Sequence, residues 1–369
     1  MPRPRARDLG IPFRGDPGPL NAITDVPGLE VGATTLIEGT DVRTGVTVIC
    51  PRGRANPDDP CVAGWYSLNG NGEMTGTTWV EEFGAVSLPI AITNTHSVGT
   101  AHEAIIDWVN TRHPELASMW ALPVAAETWD GYLNDINGHH LKAHHVAAAI
   151  DSASGARPLE GGVGGGTGMN CYAFKGGSGT SSRVVEHGPD RYTVGVFVQA
   201  NFGSRDELTI AGVPVGLDLL DDNPYGDASW LAPPGAGSVI VIVATDAPLL
   251  PGQCKALARR VPLGLARTGT TGSHFSGDIF LALSTANPRT LKSELDEAEA
   301  TDPGYSELRF VPWPQIDPFF RAVVEATEEA VVNVLCAGET MIGFQGHRSP
   351  GMPVERVCEL LAARGRLQA

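Results

Sequence analysis

Gly237 and Ser238 stand where a turn-rich segment, residues 221–237 (DDNPYGDASWLAPPGAG), runs directly into the apolar stretch SVIVIVATDAP. Cleavage of the bond between them would set an α-amine beside the Ser238 hydroxyl, so that one residue supplied both nucleophile and base. Such an amine has an unperturbed pKa of about 7.7–8.0, which leaves a useful neutral fraction near neutral pH. Glycine at 237 tolerates the strained backbone that attack of the hydroxyl on the preceding carbonyl requires, giving an ester that water then cleaves. The same residues also admit a plain reading, an ordinary surface loop leading into a core strand. Composition alone leaves both open.

Other arrangements that could do chemistry fail on spacing. The glycine-rich EGGVGGGTGM at 160–169 fits neither GxGxxG nor GxxxxGK[ST], so its glycines are read as allowing close approach of backbone to another strand or to substrate. His139, His140, His144 and His145 could place His140 and His144 on one helix face, but HExxH is absent and a structural or solvated face is the expectation. No GxSxG occurs, and no serine lies three residues before Lys142, Lys175, Lys255 or Lys292. A catalytic serine in this chain therefore needs a different activator. Neither metal nor organic cofactor is expected.

The elements that must position such a site follow from periodicity. Apolar runs bounded by Gly, Pro or Asn predict strands over 44–50, 88–93, 192–199, 238–245 and 279–284, most of them apolar on both faces and hence sandwiched between layers. Ala104, Ile105, Trp108 and Val109 make one helical stripe, and a second helix is predicted over 138–152. Asp317 and Pro318 read as N-cap and first turn of a helix that continues through Phe320, Val323, Val324, Thr327, Val331, Val334 and Leu335 until Gly338. A last helix is expected from near Pro353. Strands and helices mixed in this way predict a layered α/β or α+β fold, with sheet faces covered by helices. The irregular 221–237 is the conspicuous interruption, of the kind that is functional or disordered.

The 369 residues, 42% of them apolar, suffice for a sizeable core, and the 45 glycines and 28 prolines lie among apolar runs without a period, so they mark turns. A formal charge of -16 disfavours nucleic acid and anionic membranes as partners. The basic opening MPRPRARDLG lacks the apolar region of a secretory signal, and no apolar run is long enough to span a bilayer. Cys50, Cys61, Cys171, Cys254, Cys336 and Cys358 have no paired spacing and are expected as reduced thiols, in keeping with a cytoplasmic location.

Read as ordered motifs, the chain resembles the L-aminopeptidase/D-Ala-esterase/amidase family, which includes the β-aminopeptidases. The resemblance is carried by GSVIVIVATDAPL from 237, NAITDVPGLEVG at 21–32, RTGVT at 43–47, NGNGEMTG at 69–76 and TNTHSVGT at 93–100. It continues through AETWDGYLNDING from 126, GGVGGGTGMNCYAFKGGSGTSSR from 161, VFVQANFG from 196 and SGDIFLALSTAN from 276, and so covers nearly the whole chain. It implies an αββα sandwich similar to N-terminal nucleophile hydrolases. The single domain 1–369 would be autocleaved into an α chain, 1–237, and a β chain, 238–369, that stay associated as a homo-oligomer, a tetramer of such pairs. Ser238 would be the nucleophile, with Ser276 and Asp278 orienting it or its amine. Asp278 stands where some members carry Glu, so its carboxylate reaches less far. Asn201 would donate to the oxyanion, a chemically suitable role for a side-chain amide. Tyr132 would be a second donor, and Glu127 would pair with the free amino group of the substrate.

The activity so implied is removal of N-terminal residues from short peptides, amino acid amides or esters through an acyl-enzyme. Two alternatives share the nucleophile: an amidase for non-peptide amides resembling nylon-oligomer hydrolases, and an aminoacyl transferase. An uncleaved binding protein on the same fold is a third. Each residue also has a plain reading. Ser276 and Asp278 could cap a turn, Asn201 could end a strand, Tyr132 could be core, and Glu127 could be a solvated helix cap.

Overall fold

The computed structural model describes residues 3–225, 237–291 and 305–368; of the segment 221–237, residues 226–236 lie outside the described residues. In chain order the strands are β1 (Glu30–Glu38), β2 (Val42–Cys50), β3 (Cys61–Gly70), β4 (Ala85–Val86), β5 (Ile90–Asn94), β6 (Ala125–Thr128), β7 (Asn170–Cys171) and β8 (Phe174–Lys175). They continue as β9 (Gly177–His187), β10 (Asp190–Asn201), β11 (Gly237–Thr245), β12 (Ser276–Ser284), β13 (Met341–Ile342) and β14 (Arg348–Ser349). The helices are α1 (Thr77–Phe83), α2 (Val98–Arg112), α3 (Ala143–Asp151), α4 (Pro251–Ala258), α5 (Val261–Ala266), α6 (Asp317–Ala337) and α7 (Val354–Ala363).

Two sheets face each other. One runs β1-β2-β5-β6 and the other β4-β3-β12-β11-β10-β9, while β7 with β8 and β13 with β14 form short ribbons. The pair β11 and β12 is parallel at the centre of the larger sheet, flanked by antiparallel β10 and β3. Strand β11 shows why the layers form. Its side chains alternate between faces, as any strand's do. Ile240, Ile242 and Ala244 join Ile49, Ile90 and Ile92 of the smaller sheet in the core between the sheets. Val239, Val241 and Val243 join the outer core, with Phe319, Val323, Ala330 and Val334 of α6 and Leu257 of α4. On the far side, α2 and α3 cover the smaller sheet through Ala104, Ile105, Trp108, Val146 and Ile150 packed on Val46, Val48 and Ala91. The order of layers is thus α, β, β, α, the sandwich expected from the sequence. Among the described residues no helix is long and apolar enough to cross a membrane.

The glycine-rich 160–169 passes between the two sheets. Gly164–Gly166 forms a tight turn in which a Cβ on Gly165 would lie 2.2 Å from Gln199 Oε1 of β10 and 2.3 Å from the Ile92 carbonyl of β5. Close approach to neighbouring strands accounts for these glycines, as read from the sequence.

Three expectations need correction. The helix placed over 138–152 starts only at Ala143: Ile136–Gly138 is a separate single turn, and His139, at φ 48°, lies in the left-handed region and breaks the run. Asp317 is the first helical residue and not the cap, which is Ile316. The third is the plain reading of Ser276 and Asp278 as turn caps ahead of a strand: they are the first and third residues of β12 itself.

Candidate active site

Strand register assembles the site. Ser238, second residue of β11, pairs across to Asn201, last residue of β10, and on its other side to Gly277 of β12. Ser276 and Asp278 stand on either side of Gly277, opposite Gly237 and Val239. Three stretches far apart in sequence, contributing Asn201, Ser238 and the pair Ser276 and Asp278, are therefore brought together at one end of the larger sheet by three adjacent strands, and all four residues are buried.

The Ser238 hydroxyl donates to the carbonyl oxygen of Gly237 at 2.6 Å, while the Gly277 amide approaches Ser238 Oγ at 3.4 Å. Ser238 Oγ thus lies against the peptide group that precedes it. Gly237 is required by space: a Cβ there would sit 1.9 Å from the Asn201 carbonyl oxygen. Its φ is not in the left-handed region, so close approach and not strain explains the glycine.

Ser276 Oγ donates to Asp278 Oδ1 at 2.5 Å, and Asn69 Nδ2 donates to Asp278 Oδ2 at 2.9 Å. Burial pushes the Asp278 carboxyl above its ordinary pKa, against the bonds from Ser276, Asn69 and the Val239 amide, which hold it down. With its proton committed to Asp278, Ser276 Oγ presents lone pairs to any donor beside it. Asn69 went unassigned at the sequence level although it opens the NGNGEMTG motif; its role appears only when the end of β3 is seen beside Asp278.

Asn201 is held at both ends of its amide. Its Oδ1 accepts from the Asn170 amide at 2.8 Å, and its Nδ2 donates to the Trp129 carbonyl at 2.9 Å. The second Nδ2 hydrogen is not used by either bond. The Asn170 segment is itself fixed by Lys175, fully buried, whose ammonium donates to the carbonyls of Met169 and Gly176 at 2.8 Å each and of Gly166 at 3.3 Å. Burial lowers the Lys175 pKa to about 7.

Glu127 ends buried on β6 and so is not a solvated helix cap. Its carboxylate accepts from the Glu73 amide at 2.9 Å and from the Thr95 hydroxyl. Burial raises its pKa, the bonds from Thr95 and the Glu73 amide oppose that, and the nearby Glu73 charge adds to it. Gly72 lies between this carboxylate and β12: a Cβ on it would meet Gly277 Cα at 2.9 Å and Glu127 Oε1 at 3.0 Å. Thr95 lies within TNTHSVGT, and sequence alone assigns it no role.

Tyr132 is buried, but its hydroxyl donates to the Arg348 carbonyl at 3.3 Å and its ring stacks on His347, with centroids 4.7 Å apart. These contacts tie it to the β13–β14 ribbon, its ring also meets that of Tyr225 edge-on with centroids 5.2 Å apart, and none of these partners is Ser238 or Asn201. Among the described residues no group of three His, Cys, Asp or Glu could hold a metal ion. All six cysteines are free thiols.

Comparison with solved structures gives the class. The chain matches the L-aminopeptidase D-Ala-esterase/amidase of Ochrobactrum anthropi, a serine aminopeptidase described as a new variant of the Ntn hydrolase fold, with a TM-score of 0.91 and 45% identity over 99% of this chain and 100% of that one. A β-aminopeptidase from Burkholderia sp. matches with a TM-score of 0.89 and 44% identity over 98% and 99% of the two chains. The class is that of a hydrolase of the aminopeptidase type on an N-terminal nucleophile hydrolase fold. The sequence pattern of peptidase family S58 matches residues 21–349. The β-peptidyl aminopeptidase BapA of Sphingosinicella microcystinivorans is 45% identical over 99% of this chain and 94% of that protein, and its counterpart from Sphingosinicella xenopeptidilytica is 46% identical over 98% and 92%. The chain belongs to peptidase family S58.

Proposed function

We propose that the chain is the precursor of a self-processing serine aminopeptidase, cut before Ser238, that releases N-terminal residues from short peptides, amino acid amides or esters. One observation carries the reading: the register that seats Ser238 between Asn201 and Gly277 with its hydroxyl on the Gly237 carbonyl. In maturation, Ser238 Oγ attacks the Gly237 carbonyl carbon, its proton passes to the departing amide nitrogen, and the C–N bond breaks to leave an ester. Water then hydrolyses that ester, giving the Gly237 carboxylate and a Ser238 with free hydroxyl and free α-amine.

In turnover the neutral α-amine takes the Oγ proton as Oγ attacks the substrate carbonyl. Ser276, its own proton directed to Asp278, accepts from the α-ammonium that forms, and the Asp278 carboxylate favours that charge. Asn201 Nδ2 donates its remaining hydrogen to the oxyanion. The ammonium passes its proton to the leaving amine, and water releases the acyl group by the same base. Glu127 pairs with the substrate's free amino group; a substrate lacking it leaves a buried carboxylate without its partner. Names of relatives point to β-peptidyl as well as L-α and D-alanyl substrates, so the test is a panel of aminoacyl p-nitroanilides and amides with α, β, L and D members. Hydrolysis of free-amine members by cut protein, with N-acetylated members refused, is the expected result. Equal turnover of both sets contradicts the aminopeptidase reading.

A further inference from the structure

Arg205 is buried, yet every hydrogen bond described for its guanidinium goes to a backbone carbonyl. Nε donates to Tyr172 at 2.9 Å and Nη2 to Ala173 at 2.5 Å, which holds the β7–β8 turn. Nη1 donates to Leu219 at 2.9 Å and to Asp221 at 3.0 Å, and Nη2 reaches Asp222 at 3.4 Å. The guanidinium also lies 3.4 Å from the centroid of Phe174. Leu219 stands just ahead of the segment 221–237 that leads to Ser238, and Asp221 and Asp222 open that segment. The downstream end of that segment is held nearby: Gly237 packs on the backbone of Asn201 and Phe202, only a few residues before Arg205.

We propose that Arg205 is a positioning residue for self-cleavage, holding the upstream base of the segment before Ser238 against the same stretch of chain, 201–205, that seats its downstream end. The inference rests on the reading that the bond before Ser238 is cut. Pinning both ends of a loop to one short element removes chain conformations in which the Gly237 carbonyl is drawn away from Ser238 Oγ. Attack geometry is sensitive at this scale, with a misplacement of about 1 Å able to cost about a hundredfold in rate. Planarity matters too. A five-donor fork reaches carbonyls on two separate segments at once, whereas an ammonium has three donors and a shorter reach. Asp222 has a further tie, an exposed salt bridge from its Oδ1 to Arg348 Nη1 at 2.6 Å, on the β-chain side of the junction. After cleavage the Gly237 carbonyl is no longer bonded to Ser238, so the clamp bears on maturation and not on turnover.

The test follows maturation of freshly refolded precursor by intact mass, with kcat measured on free aminoacyl amide per cut chain. Arg205→Lys is expected to mature about tenfold more slowly than wild type and Arg205→Met more slowly still, with kcat per cut chain within twofold of wild type in both. Arg348→Gln, a surface change that leaves the buried clamp alone, is expected to slow maturation by a smaller factor. Wild-type maturation rates in Arg205→Lys overturn the proposal. So does a kcat per cut chain that falls in step with the maturation rate, because that marks general damage to the fold. An uncut wild-type chain is a separate outcome: it removes the self-processing reading itself, and it is seen before any variant is compared.

Discussion

Replacing Gly237 by alanine tests how closely the scissile peptide is seated. A Cβ at 237 would lie 1.9 Å from the Asn201 carbonyl oxygen, 2.9 Å from its carbon and 3.1 Å from Phe202 Cα. Carbon approaches a carbonyl oxygen to about 3.3 Å at closest in β-sheets, so the two strands must part by on the order of 1 Å at this point. The obstacle is backbone, not the movable end of a side chain. Since Asn201 is the register partner of Ser238, the displacement falls on the proposed oxyanion donor and the carbonyl proposed to be attacked together. A shift of that size in a near-attack arrangement is expected to slow self-cleavage about a hundredfold, equivalent to about 2.7 kcal/mol in the barrier. The assay is the rate at which the mass of the full chain gives way to those of 1–237 and 238–369. Once the bond is cut, position 237 is a free chain end, so turnover per cut chain should match wild type. Gly237→Ala maturing at the wild-type rate refutes the seating argument, as does an equal loss of turnover in the cut protein.

Two further outcomes follow from the site. Glu127→Gln is expected to lower kcat/KM for free aminoacyl amides by ten- to a hundredfold, the range of a charged hydrogen bond worth about 1.5–3 kcal/mol, without affecting maturation. Because burial raises the Glu127 pKa and only its ionised form pairs with an ammonium, the ratio of wild-type to Glu127→Gln kcat/KM should fall as pH drops. That fall should be centred above the roughly 4.3 of an exposed glutamate; the ratio cancels titration of the Ser238 amine, and a flat ratio across that range contradicts the pairing. Asn201→Ala should reduce kcat by about a hundred- to a thousandfold with KM little changed, as loss of an oxyanion donor does. A mainly KM effect would assign Asn201 to binding instead.

How much of this was legible in the sequence depends on whether hydropathy reports burial. Strands β5, β10, β11 and β12 were visible because apolar residues fill both of their faces between layers. Strand β9 was not, since it buries Ser178, Thr180, Ser181, Ser182 and Arg183, whose polar groups are satisfied by specific partners such as the Val196 and Ala326 carbonyls. Strand β3 was missed as well, and with it Asn69. For the site, local sequence was least informative where pairing decides: Ser276-Gly277-Asp278 reads as turn chemistry, and only its parallel register with β11 turns it into the flank of Ser238. Glycine at 237 was legible as a requirement but for the wrong reason, because steric contact with a strand thirty-odd residues upstream leaves no local trace. Tyr132 is placed near the chemistry by resemblance alone; its contacts run to His347, to Arg348 and to Tyr225 of the segment before Ser238.

The most direct measurement is the intact mass of purified wild-type and Ser238→Ala protein, with N-terminal sequencing of the smaller product. The account predicts that active wild type consists of 1–237 and 238–369, the latter beginning Ser-Val-Ile-Val-Ile, and that Ser238→Ala remains one uncut, inactive chain. A wild-type protein that hydrolyses aminoacyl amides with the bond before Ser238 intact contradicts it, and so does a Ser238→Ala chain that is still cut there.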